Sequence, residues 1–226
     1  SISNAGAMII QGFNVECLLD DRVVFTMKTV FGFFPAEALA NQIGLPRPPA
    51  VIAWLNRESD FFVDLTARPT PYCAGAARLP TPMLLMLDRV TGYWPEAGES
   101  GLGRLRAEKD VDPAEWFFKA HFFQDPVQPG SLGIEAMVQL LQWTMLEAGL
   151  DEGIDNPRFE TLGLGEPMTW KYRGQVVPTN KVIASTLEIT EVRREEGSAT
   201  AVAKASLWVD GKRIYEASGL AMRIVS

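Results

Sequence analysis

The sequence predicts an α+β fold in which one buried helix is wrapped by a long antiparallel sheet. Three observations predict it. Ser131 to Leu150 is the one long stretch whose apolar residues (Leu132, Ala136, Met137, Leu140, Leu141, Met145, Leu146) recur at helical spacing. The chain beyond it is β-rich, with runs at 161–171, 181–192, 198–209 and 214–225. Between the last two, Asp210-Gly211 is a strong tight-turn signal.

The remaining elements follow in chain order. Residues 1–5 read as a foreign extension and are left outside the expected fold. Phe13 to Leu18 and Val23 to Phe31 alternate as strands do and flank Asp20-Asp21-Arg22, which reads as a hairpin. Glu37 to Gln42 is a short helical piece that ends near Gly44. Val51 to Leu55 is an apolar patch ahead of a mixed stretch to Thr66. Residues 67–82 hold Pro69, Pro71, Gly75, Pro80 and Pro82, and this punctuation marks the expected linker. A strand is expected over 83–93 and another over 101–108. Asp112-Pro113 starts a turn or short helix carrying Glu115 to Phe118, and Gly149 sits where the long helix would stop.

Bulk properties narrow the function. The 226 residues suffice for one large or two small domains, and 47% hydrophobic with 22% charged residues excludes disorder. A net charge of -7 without a basic stripe argues against nucleic acid as a partner. Any acidic protein partner would need local Arg and Lys at its docking point. Cys17 and Cys73 have neither CxxC spacing nor companion histidines, so no metal site is expected. They read as reduced thiols, which fits a cytoplasmic location. No apolar run approaches the ~20 residues that span a bilayer, so no membrane span is expected.

His121, the chain's only histidine, follows Trp116-Phe117-Phe118 and precedes Phe122-Phe123 and the run DPVQPGSLGIEAM, from Asp125 to Met137. Pro126 and Pro129 stiffen this loop. Gly130 permits either a close backbone approach or a positive φ where the helix begins. A helix N-terminus offers unpaired N–H groups and partial positive charge, which would polarise a thioester carbonyl and stabilise an enolate. An imidazole is the natural base for the α-proton. Glu135, enclosed in an apolar cavity on the same helix, would hold a proton and donate it to a departing β-hydroxyl. Singly, each feature has a plainer reading: a packed core histidine, a solvated helix charge, a surface amide at Gln139, ordinary Pro-Gly punctuation. The coincidence of base, helix end and carboxyl within fifteen residues favours chemistry.

The segment Trp116 to Leu140 (WFFKAHFFQDPVQPGSLGIEAMVQL) resembles the motif of the bacterial β-hydroxydecanoyl-ACP dehydratase/isomerase family. So do Leu79 to Tyr93 (LPTPMLLMLDRVTGY), Tyr172 to Lys181 (YRGQVVPTNK) and Val209 to Leu220 (VDGKRIYEASGL). The likeness spans about residues 78–226. It implies a hot-dog fold, with a catalytic hot-dog domain over 83–226. It implies that His121 takes the α-proton and that Glu135 stands where the family has Asp and related short dehydratases have Glu. Gly130 would bind the thioester carbonyl through its N–H, Val127 would orient the histidine through its carbonyl, and Gln139 would be a helix amide near the carboxylate. Ser131 replaces a Cys common in the family.

The resemblance also implies a substrate presented on the phosphopantetheine of an acyl carrier protein, with no cofactor or metal. In such dimers the His and the carboxylate of one site come from different hot-dog units, so a homodimer or a paired unit is expected. Asn14 to Phe34 resembles the closing hairpin of another hot-dog. Its wording is close to the paired dehydratase regions of polyunsaturated fatty acid synthases and polyketide-type megasynthases. Residues 6–66 are therefore expected to be the C-terminal part of a preceding hot-dog-like unit, with other synthase domains as partners. The expected reaction is dehydration to trans-2-enoyl thioesters. The alternatives are an enzyme that also isomerises trans-2 to cis-3, or a non-catalytic docking module. A thioesterase is disfavoured by the Pro-Gly stretch after the histidine.

Overall fold

The structure, a computed structural model, describes residues 1–6, 8–161 and 163–226. Ala7, inside the expected N-terminal unit, and Leu162, inside the strand expected at 161–171, lie outside the described residues. The chain divides into two compact units, Ser1–Ile43 and Gly44–Ser226.

The smaller unit is an antiparallel sheet in the order β1-β2-β3: β1 (Ile2–Ala5), β2 (Met8–Leu19) and β3 (Arg22–Phe33). The expected hairpin forms. Asp20 and Asp21 take φ of 47° and 66°, the left-handed pair that matches the twist of two strands. The residues set aside as an extension are in fact β1, paired Ile2 to Gln11 through Ala5 to Met8. Their alternation is too short to read as a strand. A short helix, α1 (Ala36–Ala40), follows. Phe25, Val30, Phe31 and Phe33 stay exposed.

The larger unit contains α2 (Pro49–Leu55), β4 (Val63–Asp64), α3 (Thr70–Cys73), a 3-10 turn at Pro82–Leu84, β5 (Arg89–Trp94), β6 (Arg104–Asp110) and α4 (Trp116–Ala120). Then come α5 (Gly130–Glu147), β7 (Arg158–Phe159), β8 (Thr169–Tyr172), β9 (Val182–Glu195), β10 (Ser198–Val209) and β11 (Lys212–Val225). The sheet runs β4-β5-β6-β9-β10-β11-β7, with β8 also on β11. The helix α5 packs on β9, β10 and β11. This is the expected α+β architecture, a hot-dog fold.

Side-chain size explains the close fit. Ala199, Ala201, Ala203 and Ala205 alternate along β10 toward the core, leaving room for the helix. Gly133 faces Tyr215 so closely that a Cβ would fall 2.1 Å from the ring. Asp210 and Gly211 close β10 to β11 with φ of 49° and 77°, and Gly149 ends α5 at φ 61°. Two expected strands are shortened. Residues 83–88 are a 3-10 turn and extended chain before β5, because Pro82 starts a turn. Among the described residues of the 161–171 run, only Thr169 onward pairs with β11.

The expected domain boundaries need correction. The chain divides after Ile43, not after Thr66, and residues 67–82 are packed rather than a free linker. Leu45 N–H donates to the Arg213 carbonyl (2.8 Å), and β4 pairs with β5. The Arg106 guanidinium holds the carbonyls of Leu55 (2.6 Å) and Arg57 (2.8 Å). Leu65 and Leu79 are fully buried, and Tyr72 donates to Glu147 at 2.6 Å. Phe61, Tyr72 and Tyr93 ring Trp143 at 5.4–5.7 Å. The prolines that suggest a linker instead start short turns of an irregular cover. That cover buries the face of α5 turned away from the sheet, so the helix is buried nearly all round between Ala136 and Met145.

Candidate active site

His121 sits at the C-terminal end of α4. That single turn is anchored because Phe117 and Phe118 are buried in the core and the Trp116 indole donates to the Met83 carbonyl (3.0 Å). Phe117 and Phe118 are therefore core residues.

The imidazole is half-buried and stacks on Phe122, with ring centroids 3.8 Å apart. Its Nδ1 lies 3.0 Å from the Val127 carbonyl oxygen. A carbonyl only accepts, so Nδ1 carries the hydrogen and Nε2 of the neutral ring is left with its lone pair. Val127 itself is buried, and the next N–H, that of Gln128, donates to the Val176 carbonyl (3.0 Å). The loop between His121 and α5 is thus pinned to the Gly-Gln-Val-Val-Pro segment at 174–178.

Gly130 is the first residue of α5, after Pro129, and no side chain caps this end of the helix. Its orphan N–H groups are those that sequence reasoning assigned to a carbonyl. Of the two reasons for a glycine here, close approach is the operative one. Gly130 has no positive φ, and a Cβ would meet Trp170 at 3.3 Å and Tyr172 at 3.4 Å. Ser131 is exposed in the first turn.

Glu135 lies further along the same helix and is half-buried. Its Oε1 accepts from Gln139 Nε2 at 2.7 Å, across one helical turn. The same Nε2 donates to the Leu84 carbonyl (2.8 Å), while Gln139 Oε1 accepts from Met86 N–H (2.8 Å). These partners leave one orientation for the amide, and Gln139 is fully buried. It is a clamp between helix and cover, not a surface amide.

The structure therefore joins His121 to Val127 and Glu135 to Gln139. Among the described residues, no hydrogen bond or ion pair links His121 with Glu135 of the same chain. A cleft lined by Trp54, Trp94, Arg104 and Glu188 opens on the sheet face away from α5 and includes neither residue.

Sequence reasoning missed the aromatic shelf around the start of α5. Tyr172 and Tyr215 are cross-strand partners on β8 and β11, with rings 4.9 Å apart, and Trp170 stands 5.5 Å from Tyr215. Burial pushes both phenols above their ordinary range, Tyr215 the further because it is more deeply buried, with Tyr172 beside it adding to the rise. The only signal was the aromatic content of two strands, and their register is not readable locally.

The FabA-like domain model matches residues 79–218, which takes in α4, the loop, α5 and most of the sheet. The chain belongs to this family. As a FabA-like domain it is similar to one of the subunits of a polyunsaturated fatty acid synthase from Thraustochytrium sp. (strain ATCC 26185 / S-3). The two are 33% identical over 238 aligned positions, covering 99% of this chain and 16% of that protein. The chain thus spans about a sixth of that relative's length. Among solved structures, a dehydratase heterocomplex from Xenorhabdus doucetiae matches with TM-score 0.40 and 12% identity, over 65% of this chain and 86% of that one. An (R)-hydratase from A. caviae involved in PHA biosynthesis matches with TM-score 0.32 and 15% identity, over 54% and 92%.

Proposed function

We propose that this FabA-like domain dehydrates β-hydroxyacyl thioesters, carried by an acyl carrier protein, to trans-2-enoyl thioesters in fatty acid or polyketide-type synthesis. One observation carries the reading. The only imidazole of the chain has Nδ1 committed to Val127, so Nε2 is free to act as a base beside an uncapped helix end.

In this reading the thioester carbonyl accepts from the Gly130 N–H, which lowers the cost of charge on its oxygen as the α-proton leaves. His121 Nε2 takes that proton. The electron pair forms the double bond, the β-carbon–oxygen bond breaks, and the Glu135 carboxyl protonates the departing hydroxyl as water. Gln139 holds that carboxyl in place. Ser131, exposed beside Gly130, would border the thioester. These steps draw on side chains and backbone alone.

Among the described residues no hydrogen bond or ion pair joins His121 to Glu135 of the same chain, and in this reading the working site pairs His121 with the carboxylate of another hot-dog unit. Exposed Phe122, Phe123, Met83, Met168 and Trp170 favour this, since such surface is ordinarily covered in an assembly. The pairing unit is a second copy of the chain or another part of a parent synthase.

Residues 1–43 fit the tail of a preceding hot-dog. The β2–β3 hairpin has two 12-residue strands closed by a pair of positive-φ residues, as the β10–β11 hairpin has strands of 12 and 14 residues and the same closure. No helix of the described residues is long and apolar enough to cross a membrane, and the proposed setting is a cytoplasmic synthase.

The test is turnover of β-hydroxyacyl pantetheine thioesters of several chain lengths, with the double-bond position of the product determined. His121→Ala should abolish enoyl formation. Unimpaired turnover by this variant would overturn the assignment, and a cis-3 product would add isomerisation to it.

A further inference from the structure

His121 hangs on a helix of a single turn, α4, which is too short to hold itself in place. Besides the buried Phe117 and Phe118 and the Trp116–Met83 hydrogen bond, its start is held by an ion cluster that the proposed chemistry does not use. Lys109, the last but one residue of β6, is 8% exposed, and its ammonium lies 2.9 Å from Glu115 Oε1 and 3.3 Å from Asp88 Oδ1.

Glu115 is the residue immediately before α4, and its side chain makes no cap with the helix. Its carboxylate turns to Lys109 instead. Asp88 belongs to the sheet: its N–H donates to Glu108 O (2.9 Å), its carbonyl accepts from Leu65 N–H (2.8 Å), and its Oδ2 accepts from Asp110 N–H (2.8 Å). Lys109, paired with Ile183 in the β6–β9 ladder, therefore ties the start of α4 to the sheet, and Asp88 is a second partner for its ammonium.

We propose that Lys109 is a positioning residue that acts through Glu115 to set where His121 presents Nε2. Burial alone would push the ammonium toward neutrality. The two carboxylates outweigh that and keep it charged. A long charged side chain drawn into a site this enclosed costs desolvation, and aliphatic packing would supply rigidity more cheaply. What the ion cluster adds is direction: the carboxylate of Glu115 has one partner and one place to go. The far end of the segment is held by the Nδ1–Val127 contact, which in this proposal persists only while the start of α4 keeps the ring within reach of that carbonyl. With both ends fixed, the ring has little freedom to swing.

The kinetic half of the test rests on the reading of His121 as the base. The spectroscopic half does not. Because the chain has a single histidine, one pair of 15N ring signals reports its tautomer and contacts without ambiguity. In the wild-type chain the Nδ1–H tautomer is expected.

Glu115→Met and Lys109→Met should each blur that signal toward the mixture seen for a free imidazole. They should lower kcat by roughly ten- to hundredfold, with KM changed little, as expected for a misplaced reacting group. Glu115→Gln, which keeps an acceptor for Lys109, should restore part of both. Asp88→Asn, which leaves the Lys109–Glu115 pair intact, should stay close to wild type. If either Met variant fails to fold, the double Lys109→Met, Glu115→Met variant replaces the pair with apolar side chains of similar length and carries the test.

A folded Met variant with the wild-type imidazole signal and kcat overturns the proposal. So does an Asp88→Asn variant that matches them in loss. A wild-type chain with no dehydratase activity, but with the expected tautomer shifts in the variants, supports the positioning role and overturns the reaction assigned to it.

Discussion

At the scale of single residues, the site depends on contacts that tolerate no added atom. Gly133 is the sharpest case, since a Cβ there would meet the Tyr215 ring at 2.1 Å and Tyr215 is itself fully buried. Gly133→Ala would gain helix propensity yet should lose about 1–3 kcal/mol through overpacking, read as a lower urea midpoint at unchanged slope. Part of the site was legible at this scale. His121 and Val127 are six residues apart and Glu135 and Gln139 four, so their partnerships are local and follow from loop and helix geometry. Lys109, Tyr172 and Tyr215 were not legible, because their partners are set by strand register and by a long side chain reaching across the fold. Gln139 was underread for the same reason: its backbone partners at Leu84 and Met86 lie more than fifty residues away.

At the scale of elements, the Pro-rich stretch misled because regular spacing is what makes an element visible, and an irregular cover has none. Leu79 lies fully buried in this stretch and Leu65 just ahead of it, each worth about 1.5–3 kcal/mol of burial. A chain beginning at residue 83 should therefore be unfolded or insoluble, whereas one beginning at Gly44 should show a cooperative melt. Two equally good melts would show the cover to be dispensable.

The β10–β11 turn offers a second test. Burial alone would raise the Asp210 carboxyl, but the N–H groups of Val182 and Lys181 and the Asn180 amide outweigh it and hold it below the usual carboxylate range. A carboxyl depressed in the folded state stabilises above its unfolded value, and that stabilisation fades as the pH falls through the folded one. Asp210→Asn retains an acceptor and tolerates the left-handed backbone. Wild type should exceed it in stability at pH 7, and the gap should close below about pH 4. A gap that is constant with pH would assign the effect to the turn rather than to the charge.

At the scale of the molecule, the buried-helix-in-sheet arrangement was readable from one long apolar period followed by a β-rich run. The division after Ile43 was not, since both sides of it are rich in similar strands and turns. The proposal that another unit completes the site makes a prediction of its own. His121→Ala and Glu135→Gln chains, each inactive alone, should regain measurable turnover when unfolded together and refolded as a mixture, because a mixed pair would contain one intact His–Glu combination. No recovery, with both variants shown to pair, would place the complementary carboxylate in another part of a parent protein.

The alanine ladder on β10 has a mechanical consequence. A row of methyl groups is smooth, and a rod lying on it can slide lengthwise with little resistance. The notch at Gly133, filled by the Tyr215 ring, acts as a detent against that sliding. Since the tip of the rod carries Gly130, this knob-and-notch and the Gln139 clamp together set how far the end proposed to bind the thioester carbonyl protrudes. Enlarging the notch or shrinking the knob would therefore detune the site from below without touching any group that meets the substrate.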